Sequence, residues 1–309
     1  MSVTEAKTGS PKRRLGDLVF ANLTRSAGVV ILVALAGVAV FLTIQGAPAF
    51  SAGPGDLKGS TSFVAYVWPL VFGTLLAAFL ALLIAVPLAI GVALAVSHYA
   101  PRRVATGIGY LVDLLAAVPS VVYGLWGGLF LGPHLVPLYN WLAAHASWVP
   151  LFKGPASTTG RTILTASVVL AIMVLPIVTA ISREIFAQTP RLNEEAALAL
   201  GATRWEMIRL SVLPYARSGI VSAAMLGLGR ALGETMAVAM VLSASGVVSF
   251  NLISSTNPST IAANIALTFA DATGLQVNAL IASGLVLFVI TFAVNFAARW
   301  IVSRSEVQV

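Results

Sequence analysis

Six long stretches of apolar residues limit what this chain can fold into more than any other feature. They are roughly Ala27–Ala47, Pro69–Ser97, Ala105–Leu131, Thr162–Ser182, Ser218–Ser243 and Val277–Arg299. A helix of about 20 mainly apolar residues crosses a bilayer, and it satisfies its backbone hydrogen bonds without water. The sequence therefore predicts an all-α, polytopic membrane protein with about six transmembrane helices. Pro87, Pro119 and Pro176 lie inside these spans and are predicted to kink them.

The composition agrees with a surface that faces lipid. Hydrophobic residues make up 58% of the 309 residues and charged residues only 9%, with a mean hydropathy of +0.94. A soluble domain carries about 25% charged residues, so this chain has too few to cover a surface in water. It contains no Cys, which excludes disulfides, a thiol nucleophile and a thiolate metal site. The three His residues lack metal-ligand spacing, so no metal site is predicted.

Lysine and arginine are distributed unevenly about the spans. Fourteen lie on one side of the predicted membrane: Lys7, Lys12, Arg13, Arg14, Arg25, Arg102, Arg103, Arg183, Arg191, Arg204, Arg209, Arg217, Arg299 and Arg304. Three lie on the other side: Lys58, Lys153 and Arg161. Cytoplasmic segments carry the excess of positive charge, so we predict that both termini are cytoplasmic. The isoelectric point of about 10.1 then reflects contact with anionic membrane lipid rather than with nucleic acid.

The spans divide the chain into a basic cytoplasmic tail over residues 1–26, a transmembrane domain over 27–300 and a short cytoplasmic tail over 301–309. The first span follows a basic tail, as a signal sequence does. It is longer than the usual apolar region of about 7–15 residues, and further spans follow, so we predict that it is retained. The first dozen residues are predicted to be disordered.

The cytoplasmic loop over residues 184–217 is polar and has the pattern of two short helices. Thr189 is predicted to cap the first helix, with Pro190 at its first position. Gly201 suits the left-handed turn that ends a helix. Such a pair of helices would stand out from the membrane as a compact unit, suited to docking into a partner. A plain surface loop is the alternative that the residues alone leave open.

The second helix of this loop begins with a T-x-x-E capping box formed by Thr203 and Glu206. Pro214 is predicted to end the helix. The residues predicted to share one side of it are Trp205, Ile208 and Val212.

Two charged residues lie within the fifth apolar stretch. Arg230 and Glu234 are four residues apart, which places them on one face of a helix. Each costs roughly 2.5–3.5 kcal/mol at the centre of a bilayer, so such residues usually face a bundle interior or a water-filled path. The guanidinium of Arg230 matches phosphate oxygens, and Glu234 could neutralise it or accept a hydrogen bond from a protonated oxyanion. An ion pair that only fixes helix packing is the alternative.

The 184–217 loop resembles the EAA loop of ABC importer permeases. The matching residues are Glu195, Ala196, Ala197, Gly201, Leu213 and Pro214. Ser211 departs from the family pattern, which often has Ile there. The resemblance implies that the loop docks into a separate ATPase subunit and couples ATP use to helix motion. The chain has no G-x-x-x-x-G-K-[ST] motif, so ATP and Mg belong to the partner ATPase subunits, and no cofactor or catalytic activity is expected in this chain.

Two further segments resemble phosphate importer permeases of the PstC and PstA type. They are GLGRALGETMAV, residues 227–238, and AAVPSVVYGLWG, residues 116–127. The retained N-terminal span and the long first external loop favour the PstC type. The resemblance implies a type I ABC importer permease-like fold in which phosphate passes Arg230 and Glu234. The partners that it implies are a PstA-like second permease, two PstB-like ATPase subunits and an external PstS-like phosphate-binding protein.

Two other functions remain as alternatives. The first is a permease for another oxyanion, such as molybdate or sulfate; Glu234 argues against it because a carboxylate repels a substrate that lacks a proton. The second is a channel or proton-coupled carrier that works alone, and the docking unit in the cytoplasmic loop argues against that.

Overall fold

Helices form most of the structure, a computed structural model that describes residues 15–57 and 60–306. The helices are α1 Leu15–Gly46, α2 Phe63–Leu94, α3 Arg102–Ala117, α4 Ser120–Trp126, α5 Gly132–His145, α6 Ile163–Ala187, α7 Arg191–Ala199, α8 Arg204–Met207, α9 Leu213–Gly233, α10 Met236–Val241, α11 Ile261–Thr268 and α12 Leu275–Glu306. Wider π-helical turns follow α2, α4 and α8, at Ala95–Tyr99, Gly127–Leu131 and Ile208–Val212. We refer to the end of the bundle that carries α7 and α8 as the α7 end, and to the other as the far end.

The predicted class, an all-α protein with several membrane spans, is confirmed. Five helical segments of the described residues are long and apolar enough to cross a membrane: Leu18–Ser51, Phe63–Tyr99, Ser120–His145, Ile163–Ala187 and Leu275–Trp300. The first predicted span, Ala27–Ala47, matches α1 up to Gly46, and α1 begins at Leu15 and so includes part of the predicted tail. The expectation of disorder for the first dozen residues falls outside the described residues.

The predicted third span, Ala105–Leu131, is wrong in its bounds. Helix α3 ends at Ala117, and Pro119 starts α4 in an extended conformation instead of kinking a continuous helix. A proline disfavours the helical conformation of the residue before it, and Val118 is accordingly extended, with φ −65° and ψ 129°. The apolar helix then continues through α5 to His145.

The predicted fifth span, Ser218–Ser243, is also interrupted. Helix α9 ends at Gly233, and α10 starts at Met236. At the other end of α9, Pro214 occupies the first turn and does not stop a helix as predicted. A proline is tolerated there because the N–H that it lacks would have no partner within the helix.

Helix α6 lies at the centre of the bundle, between α2 and α9. The face of α2 that packs there consists of small residues at four-residue spacing, all buried: Ala77, Ala81, Ala85 and Ala89. Small side chains let two helix backbones approach closely within a membrane, which compensates for the lack of a hydrophobic driving force. Helix α1 packs mainly against α12, and its apolar side chains are exposed.

The irregular segment between α10 and α11 folds back into the far end of the bundle. Asn257 is fully buried there. Its side-chain oxygen accepts a hydrogen bond from the N–H of Ile163 (3.2 Å), and its side-chain amide donates to the carbonyl of Ser254 (2.7 Å). These bonds supply partners to buried backbone groups that no helix satisfies.

Gly73 of α2 lies directly against this segment. A Cβ at Gly73 would collide with the carbonyl oxygen of Ser259 and lie 3.0 Å from its carbonyl carbon, whereas a Cβ at Gly91 would have nothing within 4 Å.

Both glycines are in α2, so Gly→Ala brings the same gain in helix propensity, about 1 kcal/mol, at each. Overpacking at Gly73 costs about 1–3 kcal/mol. We expect Gly73→Ala to unfold at a lower temperature in detergent than Gly91→Ala; equal midpoints would contradict this close approach.

Candidate functional site

Two broken helices meet inside the bundle. One break, at Val118–Pro119, separates α3 from α4, and the other, at Glu234–Thr235, separates α9 from α10. Helices α4 and α10 pack against each other so closely that a Cβ at Gly124 would lie 2.9 Å from the Cα of Ala237. Unwound backbone within a membrane bundle is found where it lines a cavity or is buried in protein, and often at ligand sites.

Arg230 lies in the last turn of α9, beside the second break. Its side chain is exposed and lines a cavity of about 850 Å³ between α6, α9 and α12. Ser222 of α9 and Asn295 and Arg299 of α12 contribute other polar groups to the cavity, and the rest of the lining is mainly apolar. The guanidinium therefore faces open space and is not sealed in a helix seam.

Glu234 does not share a helical face with Arg230, contrary to the prediction. It follows the last residue of α9 in an extended conformation, with φ −69° and ψ 126°. Its Oε1 accepts a hydrogen bond from the N–H of Ala237 (3.2 Å), so the carboxylate caps the first turn of α10. No salt bridge joins Arg230 and Glu234, both of which are described. Within the described residues, no ion pair therefore neutralises the charge of Arg230.

Tyr123 is a residue of this site that the sequence analysis missed. It is buried in the first turns of α4, and its hydroxyl donates to the carbonyl of Leu115 (2.9 Å), across the break between α3 and α4. It is also close enough to Arg230 to interact with it electrostatically. A tyrosine one turn after Pro119 could have been the signal, because a proline break frees carbonyls that need a donor nearby.

The 184–217 loop contains α7 and α8. Glu195, Ala196 and Ala197 lie in α7. Gly201 has φ +85°, which confirms the predicted left-handed turn. Its N–H bonds to the carbonyl of Leu198 (3.0 Å), and the next N–H, of Ala202, bonds to that of Ala197 (3.2 Å). This pair of bonds is the Schellman motif, which satisfies the last carbonyls of a helix.

The predicted capping box of α8 is confirmed. The hydroxyl of Thr203 accepts from the N–H of Glu206 (3.3 Å), and the Glu206 carboxylate accepts from the N–H of Thr203 (2.7 Å). The predicted cap of α7 is wrong: Thr189 is buried, its hydroxyl has no partner, and Pro190 stands at the start of the helix. The helix begins at Arg191, one residue later than predicted, so Pro190 occupies the N-cap position in place of Thr189.

The loop packs onto the ends of α2 and α6 through one apolar cluster. Its buried members are Ala93, Leu94, Phe186, Met207, Ile208, Val212 and Ala216. Leu213 and Pro214 do not form a separate stop but begin α9, directly after the π-helical turn. Ile208 and Val212 are buried in this cluster, whereas Trp205, which was predicted on the same side, is 56% exposed in the first turn of α8.

The outward surface of the loop is apolar to an unusual degree for a surface in water. Its exposed large side chains are Leu192, Leu198, Leu200, Trp205 and Leu210, and Leu200 is 91% exposed. Exposed apolar patches rimmed by polar residues mark sites of protein–protein contact. At the inner edge of the loop, Nε2 of His98 at the end of α2 lies 3.7 Å from the Glu194 carboxylate of α7.

Comparison with known proteins defines the class. The family model described as "Binding-protein-dependent transport system inner membrane component" matches residues 85–307, and the chain belongs to this family. It is thus a multi-pass permease subunit of an ABC transporter, which works with other subunits and is not itself an enzyme.

Two of the relatives have more specific names. The chain is 46% identical over 301 residues to "Phosphate transport system permease protein PstC 2" of Mycobacterium tuberculosis, covering 94% of this chain and 92% of the relative. It is 41% identical over 307 residues to "Phosphate transport system permease protein PstC" of Mycobacterium leprae, covering 96% of each. A chain of a bacterial ABC transporter involved in the import of alginate shares the fold, with TM-score 0.63, 18% identity and coverage of 93% and 95%.

The capping box of α8 makes one pH dependence predictable. Two hydrogen bonds from Thr203 lower the pKa of Glu206 from its ordinary value of 4.5, because both favour the carboxylate. The bond from the backbone N–H has the larger effect, and the bond from the hydroxyl the smaller. A carboxyl whose pKa is lower in the folded state than in the unfolded state stabilises the fold at any pH above its unfolded-state pKa. This contribution to stability is lost as the pH falls through its folded-state pKa.

We therefore expect the hydrogen-exchange protection of the Thr203 and Glu206 amides to fall as the pH is lowered from about 6 to about 3. Protection factors, corrected for intrinsic exchange, would be measured on the purified chain in detergent. Glu206→Gln is the matched control, since its amide keeps the capping bond without titrating. If the wild type and this variant showed the same pH profile, the proposed cause would be wrong.

Proposed function

We propose that this chain is a permease subunit of an ATP-driven importer of inorganic phosphate. The observation that carries the proposal is the guanidinium of Arg230, which has no salt bridge among the described residues and faces a cavity at the end of α9, next to the break at Glu234. The names of the relatives support phosphate as the substrate. The path forms between this chain and a second, PstA-like permease, and an external PstS-like protein delivers phosphate to it.

The orientation follows from charge. Fourteen Lys and Arg residues flank one side of the spans and three the other, so the α7 end faces the cytoplasm and the protein lies in the bacterial cytoplasmic membrane. Both termini are then cytoplasmic, with a tail over residues 1–26, the permease domain over 27–300 and a tail over 301–309. The far end faces the binding protein.

Arg230 and Glu234 divide the recognition of phosphate between them. The fork of Arg230 binds two oxygens of the anion. Glu234, already bonded through Oε1 to the N–H of Ala237, accepts a hydrogen bond from the proton that phosphate carries at neutral pH. Sulfate has no such proton, so the carboxylate repels it. Selection for phosphate therefore needs both residues, although they do not pair with each other.

The 184–217 loop couples this path to two PstB-like ATPase subunits, which bind ATP and Mg. The exposed Leu200 and Trp205 enter the ATPase cleft, and Glu195, Ala196, Ala197 and Gly201 give the loop its shape. Helix α8 continues through the π-helical turn into α9. The 21 residues of α9 extend about 31 Å, so motion of the loop reaches the break beside Arg230 without a flexible joint. ATP binding would then switch the cavity between its two openings.

Arg230→Ala tests the path. A hydrogen bond to a charged group contributes about 1.5–3 kcal/mol, so we expect phosphate uptake by the complete importer in liposomes to fall roughly 10- to 100-fold. Arg103→Ala is the control, because Arg103 is an exposed arginine in the first turn of α3, outside both the path and the 184–217 loop. Both variants should assemble with the partner subunits. A normal uptake rate in Arg230→Ala, or equal inhibition of wild-type uptake by sulfate and phosphate, would contradict the proposal.

Gly201→Val tests the coupling loop. The left-handed backbone costs a residue with a side chain about 1–2 kcal/mol, and a β-branched residue is the least tolerant of it. A Cβ there would meet nothing within 4 Å, so the effect comes from the backbone alone. We expect Gly201→Val to reduce co-purification of the ATPase subunits, and Gly201→Asn, which tolerates this conformation, to reduce it less. Undiminished co-purification with Val would remove the docking role.

A further inference from the structure

The far end of the bundle holds a second arginine near the same short helix. Arg161 lies between α5 and α6 and is exposed. We propose that Arg161 is an anion-binding residue at the outer mouth of the path, which receives phosphate and passes it along α10 to Arg230. The inference rests on the proposed function, since it assigns a further residue to the same path.

The guanidinium of Arg161 is fixed in position by α10. Its Nη2 donates to the carbonyl of Met240 at 2.6 Å, across 79 positions of the sequence. Met240 lies in the last turn of α10, where carbonyls have no partner within the helix and the helix dipole is negative. A cation at this point stabilises the helix end, so the contact holds Arg161 and α10 together.

Most of the donors of Arg161 remain available. A guanidinium has five N–H groups, and the hydrogen bond to Met240 uses one of them. In the part of the chain that the structure describes, no salt bridge neutralises Arg161. A guanidinium held by one main-chain carbonyl keeps its full positive charge and can bind two oxygens of an anion with its other donors.

The surrounding chain is suited to an anion. Residues 132–182 and 235–270, which include both segments that meet around Arg161, contain no Asp or Glu. Three hydroxyl groups lie near the backbone of Arg161. The hydroxyl of Thr159 accepts a hydrogen bond from the backbone N–H of Arg161 (3.4 Å). The hydroxyl of Ser157 lies 3.3 Å from that of Thr159 and accepts a hydrogen bond from the hydroxyl of Ser255 (2.9 Å). Hydroxyls can donate to an oxyanion that loses its water, and a mouth lined by one sign of charge concentrates the opposite ion.

Helix α10 connects the two arginines. At its start, Glu234 caps the first turn, and Arg230 lies just before this residue in the last turn of α9. At its end, Arg161 donates a hydrogen bond to the last turn. Its six residues span about 9 Å, which is close to the screening length at physiological salt. Ion conduction needs successive sites, each favourable enough to enter and weak enough to leave. An outer site one short helix away from Arg230 meets this requirement.

The test separates the charge of Arg161 from its hydrogen bond. Arg161→Gln keeps an N–H donor for Met240 and removes the charge, whereas Arg161→Lys keeps the charge. Lys153→Gln removes a charge at the same end of the bundle and serves as the control. The complete importer in liposomes would be given saturating phosphate-loaded binding protein, and phosphate uptake and ATP hydrolysis would be measured together.

We expect Arg161→Gln to lower the number of phosphate ions moved per ATP roughly tenfold, with ATP hydrolysis retained. Arg161→Lys should lower it about twofold at most, and Lys153→Gln should leave it unchanged. An unchanged ratio in Arg161→Gln would overturn the inference. So would a parallel loss of uptake, ATP hydrolysis and thermal stability in both Arg161 variants, because a residue that only clamps α10 would produce it.

Failure of the proposed function would look different. If the wild-type importer moved another oxyanion but no phosphate, both the proposed function and the role of Arg161 in phosphate passage would be wrong. If the wild type moved phosphate, Arg230→Ala did not, and Arg161→Gln kept the normal ratio, the inference about Arg161 alone would be wrong.

Discussion

The site depends on one physical requirement: a helix that breaks inside a membrane bundle must find other partners for its backbone groups. At each of the two breaks in this chain, side chains supply such partners. The hydroxyl of Tyr123 reaches back to the carbonyl of Leu115 at the first break. At the second, the hydroxyl of Thr235 donates to the carbonyl of Gly233 (3.1 Å), and Glu234 accepts from the N–H of Ala237. Three side chains therefore make an otherwise costly backbone tolerable, and they leave Arg230 between two helix ends.

Glu234 bonds to the backbone of α10 while Arg230 faces the cavity, and the two residues therefore do not form an ion pair. A carboxylate in contact with the guanidinium would compete with any arriving anion, and the pair would have to be broken in each transport cycle. Instead the carboxylate is held by a backbone N–H of α10. The cost of a charge within the membrane, about 2.5–3.5 kcal/mol on insertion scales, is reduced because Arg230 faces a cavity that water can enter.

The sequence predicted the features that depend on local chemistry. Apolar length predicted the spans, Gly201 the left-handed turn, and Thr203 with Glu206 the capping box, since each of these is decided within a few residues. It failed where distant parts of the chain decide. The break at Glu234 is marked by no proline, and the sequence alone placed Ser218–Ser243 in an unbroken helix. At the other break Pro119 was a local signal, but it was predicted only to kink a continuous helix. Thr189 was mistaken for a cap because α7 begins one residue later than predicted, with Pro190 at the N-cap position. Arg161 was counted only as a charge, because its contact with Met240 joins residues far apart in sequence.

The π-helical turn between α8 and α9 joins the two helices and also determines how far α9 is rotated about its axis relative to the loop. A helix turns by about 100° for each residue, and the turn at Ile208–Val212 fixes the direction in which α9 presents its faces relative to the loop. One residue more or fewer between Pro214 and Arg230 would leave both motifs intact, yet it would turn the guanidinium by about 100° around the helix axis, away from the cavity. The number of residues in this stretch is therefore under as much constraint as their identity, and a chain of this kind can exchange side chains there far more easily than it can change length.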